Sequence, residues 1–206
     1  MSERVNTQST STQHLNKRSA KQNGMTFIEV LIALVIMVTG ILGAVAMQAT
    51  AKKGSFDAMQ RSLASSLAQD IVERMRSNDA TQLSQYIGYD YGVSLGSSVP
   101  ACTTTAGCGS ANMVTNDLYE WELALMGANV KKATSNVGGL INSRACIAVS
   151  GNAVTVAITW QGRTETKDSR TTIDTGTDAD GNATTGTCGG SADDKRRQVL
   201  VEAFIY

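Results

Sequence analysis

The sequence predicts an α+β fold in which one long N-terminal helix packs on a small antiparallel β-sheet. Two observations predict the helix: Val30–Ala51 contains no charged residue, and the stretch after it repeats apolar residues every three or four positions. A third observation predicts the sheet, because runs towards the C-terminus alternate apolar and polar residues. The expected chain therefore has a helix with two different halves, followed by one globular domain.

The first half of the predicted helix is long enough to cross a membrane. At ~1.5 Å per residue, Val30–Ala51 extends for ~33 Å, compared with a hydrocarbon core of ~30 Å. Glu29 stands directly before this apolar segment. A carboxylate at the edge of lipid is costly and calls for a positive partner. The nearest candidate is the new amino terminus that cleavage after Gly24 would create.

The second half of the helix is predicted to be amphipathic. The helix is expected to run from about Thr26 to about Arg76, where Ser77-Asn78-Asp79 supplies turn-forming residues. Its apolar side chains form one stripe, which is expected to pack on the C-terminal domain. The stripe consists of Phe56, Met59, Leu63, Leu67, Ile71 and Met75.

A short second helix is predicted near the middle of the chain. Asp117 is expected to cap its N-terminus, with Glu120 as the capping-box partner and Trp121 on the buried face. Two segments are predicted loops, because they are rich in Gly, Ser and Thr. They are residues 79–111, before this helix, and residues 161–195, after the predicted hairpin strands.

Three strands are predicted from alternation of apolar and polar residues. Arg144–Ser150 and Ala153–Trp160 are expected to form a hairpin through Gly151-Asn152. Arg197–Tyr206 is expected to be the last strand, with alternate residues on opposite faces. Together these strands predict the antiparallel sheet.

The four cysteines all follow the apolar segment: Cys102, Cys108, Cys146 and Cys188. In a domain outside the cytoplasm they favour two disulfides, and three pairings are conceivable. We expect Cys102–Cys108 and Cys146–Cys188, with four reduced thiols as the alternative. A zinc site is disfavoured, because the spacing C-x2-C does not occur and no histidine lies downstream.

Composition argues against several classes of function. Basic and acidic side chains number 18 each, so zero net charge does not favour nucleic acid as a partner. Gly92-Val93-Ser94-Leu95-Gly96 matches the pattern of a hydrolase nucleophile elbow, but the single histidine, His14, lies near the N-terminus and leaves no imidazole base. We therefore expect no enzymatic activity, no cofactor and no metal.

An acidic turn leaves one alternative open. Asp174, Asp178 and Asp180 precede Gly181-Asn182, and such oxygen ligands could bind calcium. The spacing is not that of an EF-hand loop, and no glutamate closes it. A solvated turn is the preferred interpretation.

The region around the apolar segment resembles the class III signal of type IV prepilins. In that family a basic leader ends in Gly, an apolar residue follows, and Glu is the fifth mature residue, as in Gly24-Met25-Thr26-Phe27-Ile28-Glu29. Met25 departs from the commoner Phe. Further residues resemble PilV-type minor pilins, also called type IV pilus modification proteins: Gly40–Gly43, Gln48, Asp70–Asn78 and Asp117–Leu125.

The resemblance implies a domain organisation. Residues 1–24 would be the prepilin leader, 25–53 the transmembrane and filament-core helix, 54–78 its amphipathic continuation and 79–206 a periplasmic globular domain. The leader would be cytoplasmic, since basic residues flank the segment's start, although Lys52 and Lys53 weaken this charge asymmetry. The protein would first reside in the bacterial inner membrane and then in the pilus fibre.

The resemblance also implies a function. A prepilin peptidase would cleave between Gly24 and Met25 and methylate the new amine of Met25, and Glu29 would pair with that amine in a neighbouring subunit. Implied partners are other minor pilins, the major pilin, a tip protein and the inner-membrane assembly platform, in a fibre that supports twitching motility and adhesion. A minor pseudopilin of type II secretion and a membrane-anchored binding module that never polymerises are the alternatives.

Overall fold

The computed structural model describes residues 24–96, 108–128, 130–166, 172–177, 183–189 and 194–206, and these ranges are called the described residues. They form two structural units, one ending at Ala46 and the other beginning at Met47. The first helix, α1, is assigned over Phe27–Ser77 and contributes residues to both units. Its predicted bounds of about Thr26 to about Arg76 are therefore confirmed to within one residue.

The second unit is built on a four-stranded antiparallel sheet. Its strands are β1 (Gly88–Tyr91), β4 (Arg144–Ser150), β5 (Ala153–Gln161) and β8 (Arg196–Phe204), and their spatial order is β1-β4-β5-β8. The predicted hairpin is present, because β4 pairs with β5 in register from Arg144↔Thr159 to Ser150↔Ala153. The predicted last strand is also present, paired with β5 over its whole length.

The remaining elements are shorter. A 3-10 helix covers Ala80–Tyr86, and helix α2 covers Ser110–Leu125. Two further hairpins are formed by β2 (Lys131–Lys132) with β3 (Ser135–Asn136) and by β6 (Thr172–Thr177) with β7 (Ala183–Thr187). Residues 79–111 and 161–195 thus contain regular elements that the loop prediction missed.

The core lies between the C-terminal half of α1, α2 and one face of the sheet. From α1 it contains Leu67, Ile71 and Met75, as the amphipathic stripe predicted. From α2 it contains Trp121, buried as expected, and from the sheet it contains Trp160, which is also buried. Burying a large apolar side chain stabilises a domain by roughly 2 kcal/mol, so this cluster is what attaches the sheet to the helix. The prediction of an α+β fold is confirmed.

One detail of the predicted packing, the burial of Met59, is wrong. Met59 is 58% exposed, while the next residue, Gln60, is buried. The amide of Gln60 donates to the carbonyl of Gly139 at 3.3 Å and accepts from the backbone N–H of Ile141 at 3.1 Å. A polar side chain is tolerated inside because it pairs with the backbone of the turn that precedes β4.

The turn at Gly139 requires glycine for steric reasons. Gly127, at φ +64°, approaches so closely that a Cβ there would lie 1.8 Å from the carbonyl oxygen of Gly138. Gly139, at φ +76°, also has no space for a side chain, since its own Cβ would lie 2.3 Å from the backbone nitrogen of Gly127. The end of α2 is thereby packed directly on the backbone before β4.

Candidate processing and assembly site

The candidate cleavage position lies just before α1. Gly24 and Met25 are exposed, and a Cβ at Gly24 would meet no atom within 4 Å. The carbonyl of Thr26 accepts from the backbone N–H groups of Glu29 at 3.1 Å and Val30 at 3.3 Å, which closes the first helical turn. The backbone ahead of that turn is thus outside the helical hydrogen-bond ladder.

Glu29 lies in the first turn of α1. A carboxylate is favoured there by the partial positive charge of the helix N-terminus. The side chain is exposed and forms no ion pair with any of the described residues. Its oxygens are therefore available to a cation from outside this chain.

The apolar half of α1 is uncovered. Every side chain from residue 24 to residue 55 is exposed, and the best 18-residue window of α1 has a mean hydropathy of 2.7 with none of its surface buried. By length and composition, α1 is the one helix among the described residues that could cross a membrane. The hydroxyl of Thr39 donates to the carbonyls of Val35 and Ile36 at 3.0 Å, so its polarity is absorbed by its own helix.

A polar network joins the end of α1 to α2. The guanidinium of Arg74 contacts Asp70 at 3.0 Å, Glu120 at 3.1 Å and Asp117 at 3.3 Å. The hydroxyl of Tyr86 donates to Asp117 at 2.8 Å. Asp117 was predicted to cap a short helix, and this prediction is wrong: α2 begins at Ser110 with Gly109 as its N-cap, and Asp117 is a buried residue of its interior.

Asn78 completes this network at the end of α1. Its amide donates to the hydroxyl of Tyr86 and to the carbonyl of Ser110, each at 3.1 Å. It therefore links the helix end to the 3-10 helix and to the first residue of α2. The network holds the chain on both sides of residues 97–107 close to α1.

Burial and hydrogen bonding shift three pKa values in and near this network. Partial burial pulls the pKa of Arg74 down, but hydrogen bonds to Glu120, Asp70 and Asp117 outweigh it and raise that pKa above its ordinary value. Burial raises the pKa of Tyr86, and its hydrogen bond to Asp117 acts in the same direction. Hydrogen bonds from the backbone N–H and hydroxyl of Thr81 lower the pKa of Asp79, which caps the 3-10 helix.

Glu122 fixes the segment after β1. Its two carboxylate oxygens accept from the backbone N–H groups of Gly92 at 3.1 Å and Gly96 at 2.9 Å, and Glu122 itself is buried. The residues that match a nucleophile elbow are therefore a backbone loop held by an acid of α2. The strand β1 precedes this loop, and no helix begins within residues 92–96, the part of it that the structure describes.

One of the two expected disulfides is present. Cys146 on β4 is bonded to Cys188 just after β7, with their Cα atoms 5.8 Å apart. Cys102 lies outside the described residues, so the pairing Cys102–Cys108 stays a prediction. Asp178, Asp180 and Gly181-Asn182 also lie outside them, so calcium binding by this turn stays untested. Within the described ranges, no group of three or more His, Cys, Asp or Glu could hold a metal ion.

Comparisons with known proteins match both halves of α1. Residues 19–45 match the prokaryotic N-terminal methylation motif, and residues 46–119 match the family described as Tt1218-like, type IV pilin Tt1218. Over residues 19–119 the chain is therefore similar to type IV pilins. No curated protein and no solved structure was found to match it.

The family match carries several consequences. The second match extends across the C-terminal half of α1, the 3-10 helix, β1 and the first part of α2. The family is structural and not enzymatic, which confirms the prediction that the pilin is no enzyme. The methylation motif implies processing by a prepilin peptidase, and the apolar helix is consistent with anchoring in the inner membrane.

Proposed function

We propose that this pilin is a minor subunit of the type IV pilus, of the PilV type, that primes assembly and is incorporated at or near the tip. The observation that carries the proposal is the lone acid Glu29 at the start of an apolar helix surface that nothing in the described chain covers. Its partners are other minor pilins, the major pilin, a tip protein and the inner-membrane assembly platform. Twitching motility and adhesion are the functions of the resulting fibre.

The proposed mechanism begins with cleavage. A prepilin peptidase hydrolyses the peptide bond between Gly24 and Met25, and the new amine of Met25 is methylated. In the membrane, lipid covers the apolar half of α1. During assembly, the same surface becomes covered by the helices of other subunits. Glu29 then pairs with the Met25 amine of a neighbour, in surroundings of low dielectric where an unpaired charge is strongly disfavoured.

The polar network gives the globular domain its role in this mechanism. Arg74, Asp117 and Tyr86 attach α2 and the 3-10 helix to the end of α1. The disulfide Cys146–Cys188 attaches the β6–β7 hairpin to the sheet. The domain is therefore carried with the helix end when α1 leaves the membrane, and it remains accessible to solvent.

Replacement of Glu29 tests the proposal. Glu29→Val removes the carboxylate but leaves the segment apolar, so the protein still enters the membrane. We expect its amount in sheared pili, measured by immunoblot against the membrane pool, to fall at least about ten-fold, because an amine left unpaired in the fibre core loses a charge-assisted contact. Glu73→Gln is the control, since Glu73 is an exposed acid on the same helix beyond the apolar segment.

Three results would contradict the proposal. Normal incorporation of Glu29→Val would remove the assigned role of the acid. An intact mass from native membranes that still includes residues 1–24 would contradict processing at Gly24. Recovery of the wild-type pilin with secretion-system components and never with pili would favour a type II pseudopilin, and recovery with neither would favour an anchored binding module.

A further inference from the structure

A shallow cationic pocket lies at the start of the second structural unit. It has a volume of about 420 Å³ and is lined by Lys53, Ile141, Gln161, Gly162, Arg163 and Lys195. Three of these six residues are cationic. Lys53 lies on α1, the other five residues lie in the globular domain, and the proposed function assigns this pocket no role.

The pocket is held together by backbone and side-chain contacts. The N–H of Gln161 donates to the carbonyl of Ile141, and the N–H of Gly162 donates to the carbonyl of Lys195, each at 2.8 Å. The carboxylate of Asp57 on α1 accepts from the backbone N–H of Arg163 at 3.1 Å. The cations therefore project from anchored backbone.

The side chain of Arg163 is oriented by stacking. Its guanidinium carbon lies 4.1 Å from the centroid of the Phe56 ring. Stacking uses the flat face of the guanidinium group and leaves the N–H groups at its edge for oxygen ligands. A planar fork of donors, fixed in this way, suits the oxygens of a phosphate group.

Two acids, Asp57 and Glu165, contact residues in or beside the pocket. Asp57 accepts from the N–H of Arg163 and from the hydroxyl of Thr164 at 3.1 Å. Glu165 forms a 3.5 Å ion pair with Lys195, and its side chain is 75% exposed. Such an exposed pair contributes little and can be exchanged for another anion. Lys53 forms no ion pair with any of the described residues.

The position of Lys53 in the sequence indicates which anion is near. Lys53 follows the uncharged segment Val30–Ala51 by two residues. If that segment spans the bilayer, as the proposed function requires, Lys53 lies at the level of the lipid headgroups. Lys52 and Lys53 run against the usual placing of positive charge on the cytoplasmic side, and a bound anionic headgroup would account for one of them.

We propose that the pocket formed by Lys53, Arg163 and Lys195 binds the phosphate of an anionic phospholipid headgroup. The pocket would hold the globular domain against the membrane before assembly and release it when the subunit enters the fibre. Lipid binding by the pocket rests on the membrane insertion in the proposed function, whereas only the later release depends on incorporation into pili.

A lipid-binding measurement on the full chain tests the proposal. The protein in neutral detergent is titrated with phosphatidylglycerol or with phosphatidylcholine, and apparent dissociation constants are taken from lipid adducts in native mass spectrometry. We expect tighter binding of phosphatidylglycerol. Lys53→Gln should weaken it about five-fold, because the variant loses one direct contact between an ammonium group and the lipid phosphate.

Lys52→Gln is the matched control. It removes the same charge one position away, but Lys52 does not line the pocket. We expect it to weaken phosphatidylglycerol binding less than about two-fold. Arg163→Gln should act like Lys53→Gln, and thermal melts of all variants should coincide with the wild type.

Four outcomes would overturn the proposal. Equal losses for Lys52→Gln and Lys53→Gln would mean that diffuse charge, and not the pocket, attracts the lipid. Equal affinity for both lipids would remove the preference for an anionic headgroup. Full competition by inorganic phosphate at the affinity of the lipid would assign the pocket to free phosphate. Normal lipid binding in Lys53→Gln with loss from sheared pili would assign it to a carboxylate of another subunit.

The membrane proposal and the pilus proposal can fail separately. If the wild-type protein shows no preference for phosphatidylglycerol but is incorporated normally into pili, only the lipid-binding role of the pocket is overturned. Retained lipid preference with failed incorporation of the wild-type pilin would overturn the pilus assignment alone.

Discussion

The indole Nε1 of Trp121 on α2 donates a 2.8 Å hydrogen bond to the backbone carbonyl of Leu67 in α1. Both residues are buried, and they are separated by 54 positions in the sequence. This contact ties the interior of one helix to the interior of the other. It complements the Arg74–Asp117 ion pair, which joins the same two helices nearer the end of α1.

Trp121→Phe should destabilise the globular domain by about 1–3 kcal/mol, because it removes a buried hydrogen bond and leaves a cavity. Urea unfolding of the full chain in neutral detergent, followed by far-UV circular dichroism, measures the loss in each variant. Trp160→Phe is the control, since the Nε1 of Trp160 has no hydrogen-bond partner among the described residues. It should cost about 1 kcal/mol less, and equal losses would contradict a role for the bond to Leu67.

Asp117→Asn should reduce the free energy of unfolding by about 1–3 kcal/mol, because it removes the negative charge of the most buried partner of Arg74. The side chain of Asp117 is 9% exposed, whereas that of Glu120, which contacts the same guanidinium, is 51% exposed. Glu120→Gln should therefore cost less than about 0.5 kcal/mol. Denaturant titration of both variants decides the matter, and a larger loss for Glu120→Gln would refute this ranking.

Stability should fall as the pH rises above about 10. Burial, and then the bond to Asp117, raises the pKa of Tyr86 above its ordinary value of 10.0, and burial also raises the pKa of Tyr91. The unfolded chain releases these protons first. The stabilisation is thus complete below pH 10 and is lost as the pH rises towards the folded pKa.

Tyr86→Phe should reduce this alkaline loss without abolishing it, because Tyr91 still contributes. The measurement is the slope of the free energy of unfolding against pH between about 9 and 11. An unchanged slope in Tyr86→Phe would show that Tyr86 ionises alike in both states. Tyr206→Phe is the control, since that side chain is fully exposed.

Removing the disulfide Cys146–Cys188 should lower stability by about 3–4 kcal/mol, because the bond closes a loop between residues 42 positions apart. The double variant Cys146→Ala with Cys188→Ala, melted with and without reductant, measures the effect. The matching variant Cys102→Ala with Cys108→Ala should lose about 1–2 kcal/mol less, since the loop of that predicted pair is much shorter. The reverse order would contradict loop closure as the cause.

The sequence predicts those parts of the fold that depend on neighbours along the chain. The bounds of α1 follow from its composition, and the β4–β5 hairpin follows from alternation around Gly151-Asn152. Asp117 illustrates the opposite case. Locally it has the chemistry of a helix cap, but its partners Tyr86 and Arg74 are 31 and 43 positions away, and only the tertiary structure brings them together.

The candidate sites divide in the same way. Gly24, Met25 and Glu29 are recognisable because their spacing along one short segment is itself the signal. Lys53, Arg163 and Lys195 carry no such spacing. They become neighbours because Gly162 is hydrogen-bonded to Lys195 and Arg163 to Asp57 of α1. A motif search would miss them, and only the cluster of positive charge after folding identifies them.

The bifurcated bond of the Thr39 hydroxyl to Val35 and Ile36 has a consequence for transfer of the helix between two media. Because the hydroxyl is already hydrogen-bonded within its own helix, it neither gains nor loses a partner when the surrounding hydrocarbon is replaced by protein, as the proposed assembly requires. Moving Thr39 from lipid into a protein environment therefore costs no free energy from a lost hydrogen bond. In the proposed mechanism, the direction of transfer then depends on Glu29 at the start of the segment. The same apolar helix can therefore reside in the membrane before assembly and in the fibre afterwards.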